Sequence, residues 1–332
     1  MIHGADEVAR ARSALGTLSA IPRLLRAEPA LATLLGAADA TVAVPEAAQA
    51  VALAALATFT ERGPLLVVTA TGLDAERLGD DLTCLLEGEG VGEGDVGALP
   101  GPVAVLPAWE TLPFERVSPE TETMGRRLAV LYDLDPDAAR DGLPPPPMVI
   151  VAPVRALLQR LGSHSHTGPI VVRRGRLLDS EELLRELVAK GYRREHQVEH
   201  RGEFAVRGGI VDVFPSTADE PVRIDLWGDE VDRLTAFSVS DQRSSRDIDT
   251  AVLYGCRELE AGAVVQARAE ALRARRPWGT SVWDRFSRGE VFDGMESWLP
   301  FLDPEVRVLP DLLPAGAQVV LVEPRRIRDR GA

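Results

Sequence analysis

Residues Thr69 to Glu76 read Thr-Ala-Thr-Gly-Leu-Asp-Ala-Glu and join an apolar run to a helical repeat that continues to Leu86. A turn between a strand and a helix is where backbone N–H groups can cradle a phosphate. A working phosphate loop needs glycines for the wrap, a lysine to reach the outer phosphates and a Ser or Thr for magnesium. Here Gly72 is the one glycine of the turn, no Gly-Lys-Ser/Thr follows, and Asp74 and Glu76 stand in that region. Carboxylates beside a triphosphate repel it. The other half of such a site is an apolar strand ending in Asp-Glu, but Val319-Val-Leu-Val is followed by Glu323-Pro324. Thr71, Gly72, Asp74 and Glu323 thus read as a degenerate nucleotide site that does not hold ATP tightly.

Other chemistry is sparse. His164 and His166 sit in a polar segment without enough further ligands for a metal. His196 and His200 share one helical turn if that segment is helical, and they read as surface residues. No Gly-x-Ser-x-Gly elbow occurs, and no Ser-His-Asp or Cys-His arrangement follows from spacing, so no catalytic residue and no metal site is expected. Cys84 and Cys256 are the only cysteines, which fits a reducing, cytoplasmic setting.

A different kind of pattern runs from Arg201 to Arg243. Val222 to Trp227 alternates, placing Val222, Ile224 and Leu226 on one face and Arg223, Asp225 and Trp227 on the other. The first face suits a core, together with Phe204. The second puts an Arg and a Trp either side of a carboxylate on the wet side, and both types are favoured as interface anchors. A surface Trp covering a turn has the same pattern.

These residues need elements to hold them. Gly208-Gly209 and Gly228-Asp229 punctuate short strands, the second as a hairpin turn. Asp179 precedes a helix whose stripe is Leu183, Leu184, Leu187 and Val188 and which Gly191 ends, with Glu182 placed as in a capping box. Ile170 to Arg173 is a strand before it. This makes an α+β unit over residues 170–255. Before it, helical spacing over Val8 to Leu18, Pro22 to Leu35 and Glu46 to Phe59 leads into strands at Leu65 to Thr69, Val103 to Leu106 and Val149 to Ala152, with a helix at Glu120 to Tyr132. Alternating strand and helix means a parallel α/β sheet. After the unit, Val265 to Arg275 is helical and Val319 to Val322 resembles the early strands. The middle unit is therefore expected to be inserted into the first domain.

Two aromatics, Trp109 and Phe114, lie in a Pro-rich loop that they are expected to pack down. Gly142-Leu-Pro-Pro-Pro-Pro is a stiff surface connection. Trp278, Trp283, Trp298 and Phe301 lie in polar or turn-rich surroundings. Over 332 residues the net charge is −14, which argues against a general nucleic-acid binder. No apolar run of about 18 residues exists, so no membrane span is expected.

Three stretches resemble a known family. Glu203-Phe-Ala-Val-Arg-Gly-Gly-Ile-Val-Asp-Val-Phe-Pro, then Pro221-Val-Arg-Ile-Asp-Leu-Trp-Gly-Asp-Glu-Val-Asp, then Asp241-Gln-Arg, are similar to the segment shared by UvrB and the transcription-repair coupling factor. The Leu106-Pro-Ala-Trp-Glu-Thr-Leu-Pro-Phe-Glu-Arg-Val-Ser-Pro-Glu loop, Arg126-Arg127-Leu and Gly294-Met-Glu-Ser-Trp-Leu-Pro resemble the coupling factor in particular. UvrB would carry an intact phosphate loop. The resemblance covers most of the chain from about residue 63.

It implies a RecA-like domain 1A over 1–169, an inserted domain 2 over 170–255 and domain 1B over 256–332. It implies that domain 2 recruits UvrA through Arg207, Arg223 and Trp227, starting nucleotide excision repair at stalled RNA polymerase. RNA polymerase, double-stranded DNA, ATP and magnesium would be bound by parts of a longer protein beyond residue 332, and a C-terminal domain would cover domain 2. The alternative is an ATP-dependent UvrB-type helicase or DNA-damage-binding fragment. The missing lysine near Gly72 and the absence of an aromatic-rich stretch between Leu86 and Val103 weigh against it.

Overall fold

A computed structural model of the chain describes residues 18–86, 95–97, 101–112, 115–140, 143–162, 168–303, 305 and 307–331. The helix expected over Val8 to Leu18, His3, Phe114, Gly142, His164 and His166 lie wholly or almost wholly outside them. Along the described chain the strands are β1 (Leu65–Thr69), β2 (Asp95–Val96), β3 (Val103–Val105), β4 (Val149–Pro153), β5 (Ile170–Arg173), β6 (Arg193–Arg194), β7 (Glu203–Arg207), β8 (Ile210–Val213), β9 (Val222–Trp227), β10 (Glu230–Phe237), β11 (Ser244–Asp247), β12 (Thr250–Leu253) and β13 (Gln318–Leu321).

The early strands form a parallel sheet in the order β13-β1-β4-β3. β1 and β4 are short apolar runs because both faces are covered, whereas the edge strand β13 leaves Val319 and Leu321 half exposed. Leu65, Val67, Val149 and Val151 pack under the Gln49–Phe59 and Gly72–Leu86 helices. Leu66, Val68, Ile150 and Ala152 face the Thr121–Leu134 helix and Ile327. Each of the Leu, Val and Ile side chains among these, removed from water, contributes about 1.5–3 kcal/mol. β13 comes from beyond the middle unit and pairs with β1 from Leu65↔Gln318 to Val68↔Leu321, so the chain leaves this sheet, builds another structure and returns.

That other structure is a six-stranded sheet, β11-β10-β9-β8-β7-β6, antiparallel except for the parallel β6–β7 pair. A three-stranded sheet, β2-β12-β5, lies beside it and takes β2 from the chain before the middle unit. One core joins both: Val96, Ile170, Leu183, Leu187, Phe204, Val211, Ile224 and Leu234 belong to it. Asp179 caps the Ser180–Ala189 helix, accepting from the N–H groups of Glu181 and Glu182. Leu183 and Leu187 carry the buried stripe. Val188, expected in that stripe, is 60% exposed, because it lies about 100° round the axis from Leu187.

Two more expectations change. The segment from Arg193 to His200 runs as a short strand and bends, so His196 and His200 do not share a helical turn. Trp283, read as lying in polar surroundings, is fully buried and is ringed by Trp278, Trp298 and Phe301 with centroids 5.2–6.0 Å away. The Ala263–Arg275 and Thr280–Ser287 helices pack around this cluster. Gly279 makes room for it: a Cβ there would sit 2.6 Å from the Trp283 indole.

Candidate functional site

The β7–β8 and β9–β10 hairpins each turn through two residues, with Gly208 at φ +62° and Gly228 at φ +63°. A positive φ at the first turn residue suits the twist of the strands and favours glycine. Gly209 also lies against β9, where a Cβ would meet the Leu226 carbonyl at 2.9 Å. The Gly208 turn sets β7 against β8, and β8 pairs in turn with β9, so Asp212 stands between Ala205 and Arg223, and Ile210 between Arg207 and Asp225. Register partners share a face. Arg207, Asp212, Arg223, Asp225 and Trp227 thus lie on one side of the sheet, while Phe204, Val211 and Ile224 enter the core on the other.

On that side, Asp212 is fully buried and gathers two arginines. Arg223 grips it with Nε 2.7 Å from Oδ1 and Nη2 3.0 Å from Oδ2, and Nη2 of Arg207 donates to Oδ2 as well. Hydrogen bonding to Asp212 holds the Arg223 guanidinium above its ordinary pKa. Burial, opposed by Arg223 and Arg233, pushes the Asp225 carboxyl up. The Arg223 side chain is 17% exposed and that of Arg207 49%. Trp227 is 82% exposed. The outward row expected from alternation is present, but Arg223 is held inward at its head.

Sequence reasoning missed two residues here. Asp212 lies in the quoted Gly-Ile-Val-Asp-Val-Phe-Pro run, and its alternation with Val211 and Val213 is a signal for the outward face. Leu177 bridges Glu230, which pairs with Trp227, so Leu177, Glu230 and Trp227 form one row. Leu177 is also 82% exposed. It had no periodic signal, because it follows the turn at Gly175.

The degenerate nucleotide positions also come together. β1 and β13 are neighbours, so the turn after one lies beside Glu323 after the other. The Thr71 hydroxyl accepts from the Asp74 N–H at 3.2 Å, capping the Gly72–Leu86 helix. Arg326 pairs with Asp74 at 3.1 Å and with Glu323, tying the two carboxylates together. Glu76 pairs with Arg126 at 3.0 Å. An open cleft of about 390 Å³ remains nearby, lined by Thr71, Gly72, Glu76, Trp109 and Arg155 among others. Among the described residues no group of three or more His, Cys, Asp or Glu could hold a metal ion. No helix among them is long and apolar enough to cross a membrane.

The fold defines an α/β protein with a parallel sheet that the chain leaves and re-enters around an inserted, β-rich unit. Residues 170–259 match the family described as UvrB interaction domain. The chain is 41% identical over 307 residues to the transcription-repair-coupling factor of Mycobacterium tuberculosis, covering 89% of this chain and 23% of that protein. It is 31% identical over 211 residues to the same factor of Escherichia coli, 60% of this chain and 17% of that protein. For the Bacillus subtilis factor the figures are 31% over 224 residues, 67% and 17%. The chain belongs to the transcription-repair-coupling factor family, and it spans less than a quarter of the length of these relatives.

Proposed function

We propose that this chain is a non-catalytic docking module that recruits UvrA through the face bearing Arg207, Arg223 and Trp227, as part of transcription-coupled nucleotide excision repair. The observation that carries this reading is the 82% exposed Trp227 beside a paired Arg cluster, inside the stretch that matches the UvrB interaction domain. A Trp whose ring stands in water is costly to keep without use, and Trp and Arg are the commonest hot spots of protein interfaces. The working unit is domain 2, residues 170–255, set between domain 1A (1–169) and domain 1B (256–332).

The chain itself takes no ATP, magnesium or other cofactor in this reading. The Arg326 bridge between Asp74 and Glu323 supports it, since these groups occupy each other where a nucleotide and metal would need them. ATP and magnesium belong to translocase domains of the longer protein, which also engage RNA polymerase and double-stranded DNA. A C-terminal domain covers the UvrA face until it is needed, and the protein works in the cytoplasm. The test is a calorimetric titration of UvrA with the chain: binding with a measurable heat supports the reading, and no heat at micromolar concentrations refutes it.

A further inference from the structure

The end of the parallel sheet opposite the nucleotide turn holds an open cleft of about 540 Å³. That volume is in the range of small-molecule sites. Pro64, at the entry to β1, and Met148, at the entry to β4, line it, and the Met148 carbonyl accepts from the Leu65 N–H at 2.8 Å. Pro146 and Pro147, from the stiff Gly142-Leu-Pro-Pro-Pro-Pro run, line it too, as do Pro136 and Pro314. A proline ring fixes its own backbone angle. The apolar walls are therefore preformed, and a ligand loses little in ordering them.

The charge of the cleft has two origins. In a parallel sheet, a helix that leads into a strand ends where the strand begins. The Gln49–Phe59 helix ends at the cleft, which Thr60 and Glu61 line, and the Thr121–Leu134 helix ends there at Leu134 and Asp135. A helix C-terminus carries a partial negative charge and favours cations near its last turn. Glu61, Asp133 and Asp135 then stand against Arg62 and Arg140. Both guanidinium groups are already engaged. Arg140 donates from Nη1 to Asp133 Oδ1 at 2.9 Å and from Nη2 to the Asp133 carbonyl at 2.6 Å, and Arg62 donates from Nη1 to the Ala37 carbonyl at 3.0 Å. Asp135 accepts from the Asp137 N–H at 2.9 Å. The Asp133 side chain is 11% exposed, and its second oxygen has no hydrogen-bond partner among the described residues. Burial, opposed by Arg140, pushes its carboxyl up, so a further cation beside it favours the charged form. Glu61 is exposed. The unmet charge of the cleft is negative.

We propose that this cleft binds an organic cation, an apolar body carrying one ammonium or guanidinium group. The body lies against the proline walls and the charge at Asp133 and Glu61. Such a group belongs either to a free amine or to a Lys or Arg side chain beside an apolar residue of a peptide. Cleft and docking face share no residue.

The test is an NMR titration of the whole chain with isotope-labelled methionine methyl groups. Met148 lines the cleft, whereas Met124 and Met295 are buried elsewhere, and Met148→Leu identifies the Met148 signal. The probe is tryptamine. Tryptophol has a similar body without the charge, and indoleacetate carries the opposite charge. Tryptamine is expected to shift the Met148 signal saturably with a Kd of about 1 mM or below, and the other two to bind at least about tenfold more weakly. Asp133→Asn is expected to weaken tryptamine binding about tenfold, and Glu61→Gln about threefold. If Asp133→Asn loses its cooperative thermal transition, Glu61→Gln and the probe series decide, since Glu61 is exposed. An acetylated and amidated tryptophan-lysine dipeptide separates the sources: tighter binding than tryptamine supports the site with a peptide side chain as ligand, weaker binding supports it with a free amine. No shift of Met148 up to about 10 mM tryptamine, well above the expected Kd, overturns the proposal. So does equal or tighter binding of tryptophol or indoleacetate, or unchanged tryptamine affinity in Glu61→Gln and in a folded Asp133→Asn.

Discussion

Trp227 has 82% of its surface in water, so little of the fold depends on it. Trp227→Ala is expected to leave the thermal midpoint within a degree or two while reducing UvrA affinity by about 2 kcal/mol, the cost of losing a hot spot. Differential scanning calorimetry and titration of the same sample check both halves. Arg223→Ala behaves differently, because it strips the buried Asp212 of its bidentate partner. It should destabilise the chain by about 1.5–3 kcal/mol in urea unfolding, the range for a hydrogen bond to a charged group. Cysteine chemistry separates the two thiols in the same way. Burial pushes the Cys256 thiol up to about 12, whereas Cys84 is exposed. The thiolate is the reactive form, so a thiol reagent at pH 8 is expected to label Cys84 promptly and Cys256 only after denaturant is added. Labelling of both in the native state would contradict the buried placement. The outward row of Arg223, Asp225 and Trp227 was legible from a period of two. Asp212 was not assigned, because its meeting with two arginines depends on register across three strands: the turn at Gly208 settles β7 against β8, but β8 meets β9 only after the longer connection over residues 214–221.

At the scale of elements, the middle unit is fastened where the chain leaves it. Glu258 follows the last strand, β12, and is buried with Arg127 of the Thr121–Leu134 helix, Nε to Oε1 at 2.6 Å. Trp109 donates its indole N–H to the same carboxylate oxygen, and Arg127 reaches the carbonyl of Pro107 at 2.8 Å. One carboxylate thus joins the Pro-rich loop, a helix of the first sheet and the exit of the second. Breaking a buried ion pair by removing one partner costs about 3–5 kcal/mol, because the other charge stays buried. Glu258→Ala is expected to lose that much in urea unfolding, and a loss under 1 kcal/mol would mean that the joint is not tight. The packing down of Trp109 was readable from a Pro-rich loop holding aromatics. The cluster around Trp283 was not, since Trp283 sits on the Thr280–Ser287 helix while Trp278, Trp298 and Phe301 come from the short turns Pro277–Gly279, Met295–Trp298 and Leu299–Leu302, and only their packing brings the four together.

For the whole molecule, the parallel sheet was legible strand by strand because strands covered on both faces read as apolar runs. The return of the chain at β13 was legible from the apolar run Val319 to Val322, although Val319 and Leu321 on this edge strand are half exposed. The contribution of β2 to the middle unit was not, since two residues carry no period. A RecA-like sheet whose nucleotide turn is tied by Arg326 to Asp74 and Glu323 is expected to show no ATP hydrolysis above the buffer background, measured by phosphate release. In the function proposed above, such a sheet carries the inserted unit and presents its face. The most direct test of that role is the titration of UvrA with wild-type chain beside Trp227→Ala and Arg207→Ala. Binding by the wild type, weakened tenfold or more in both variants with their thermal transitions intact, is the predicted result. Equal affinity in all three, or no binding by the wild type, would contradict it.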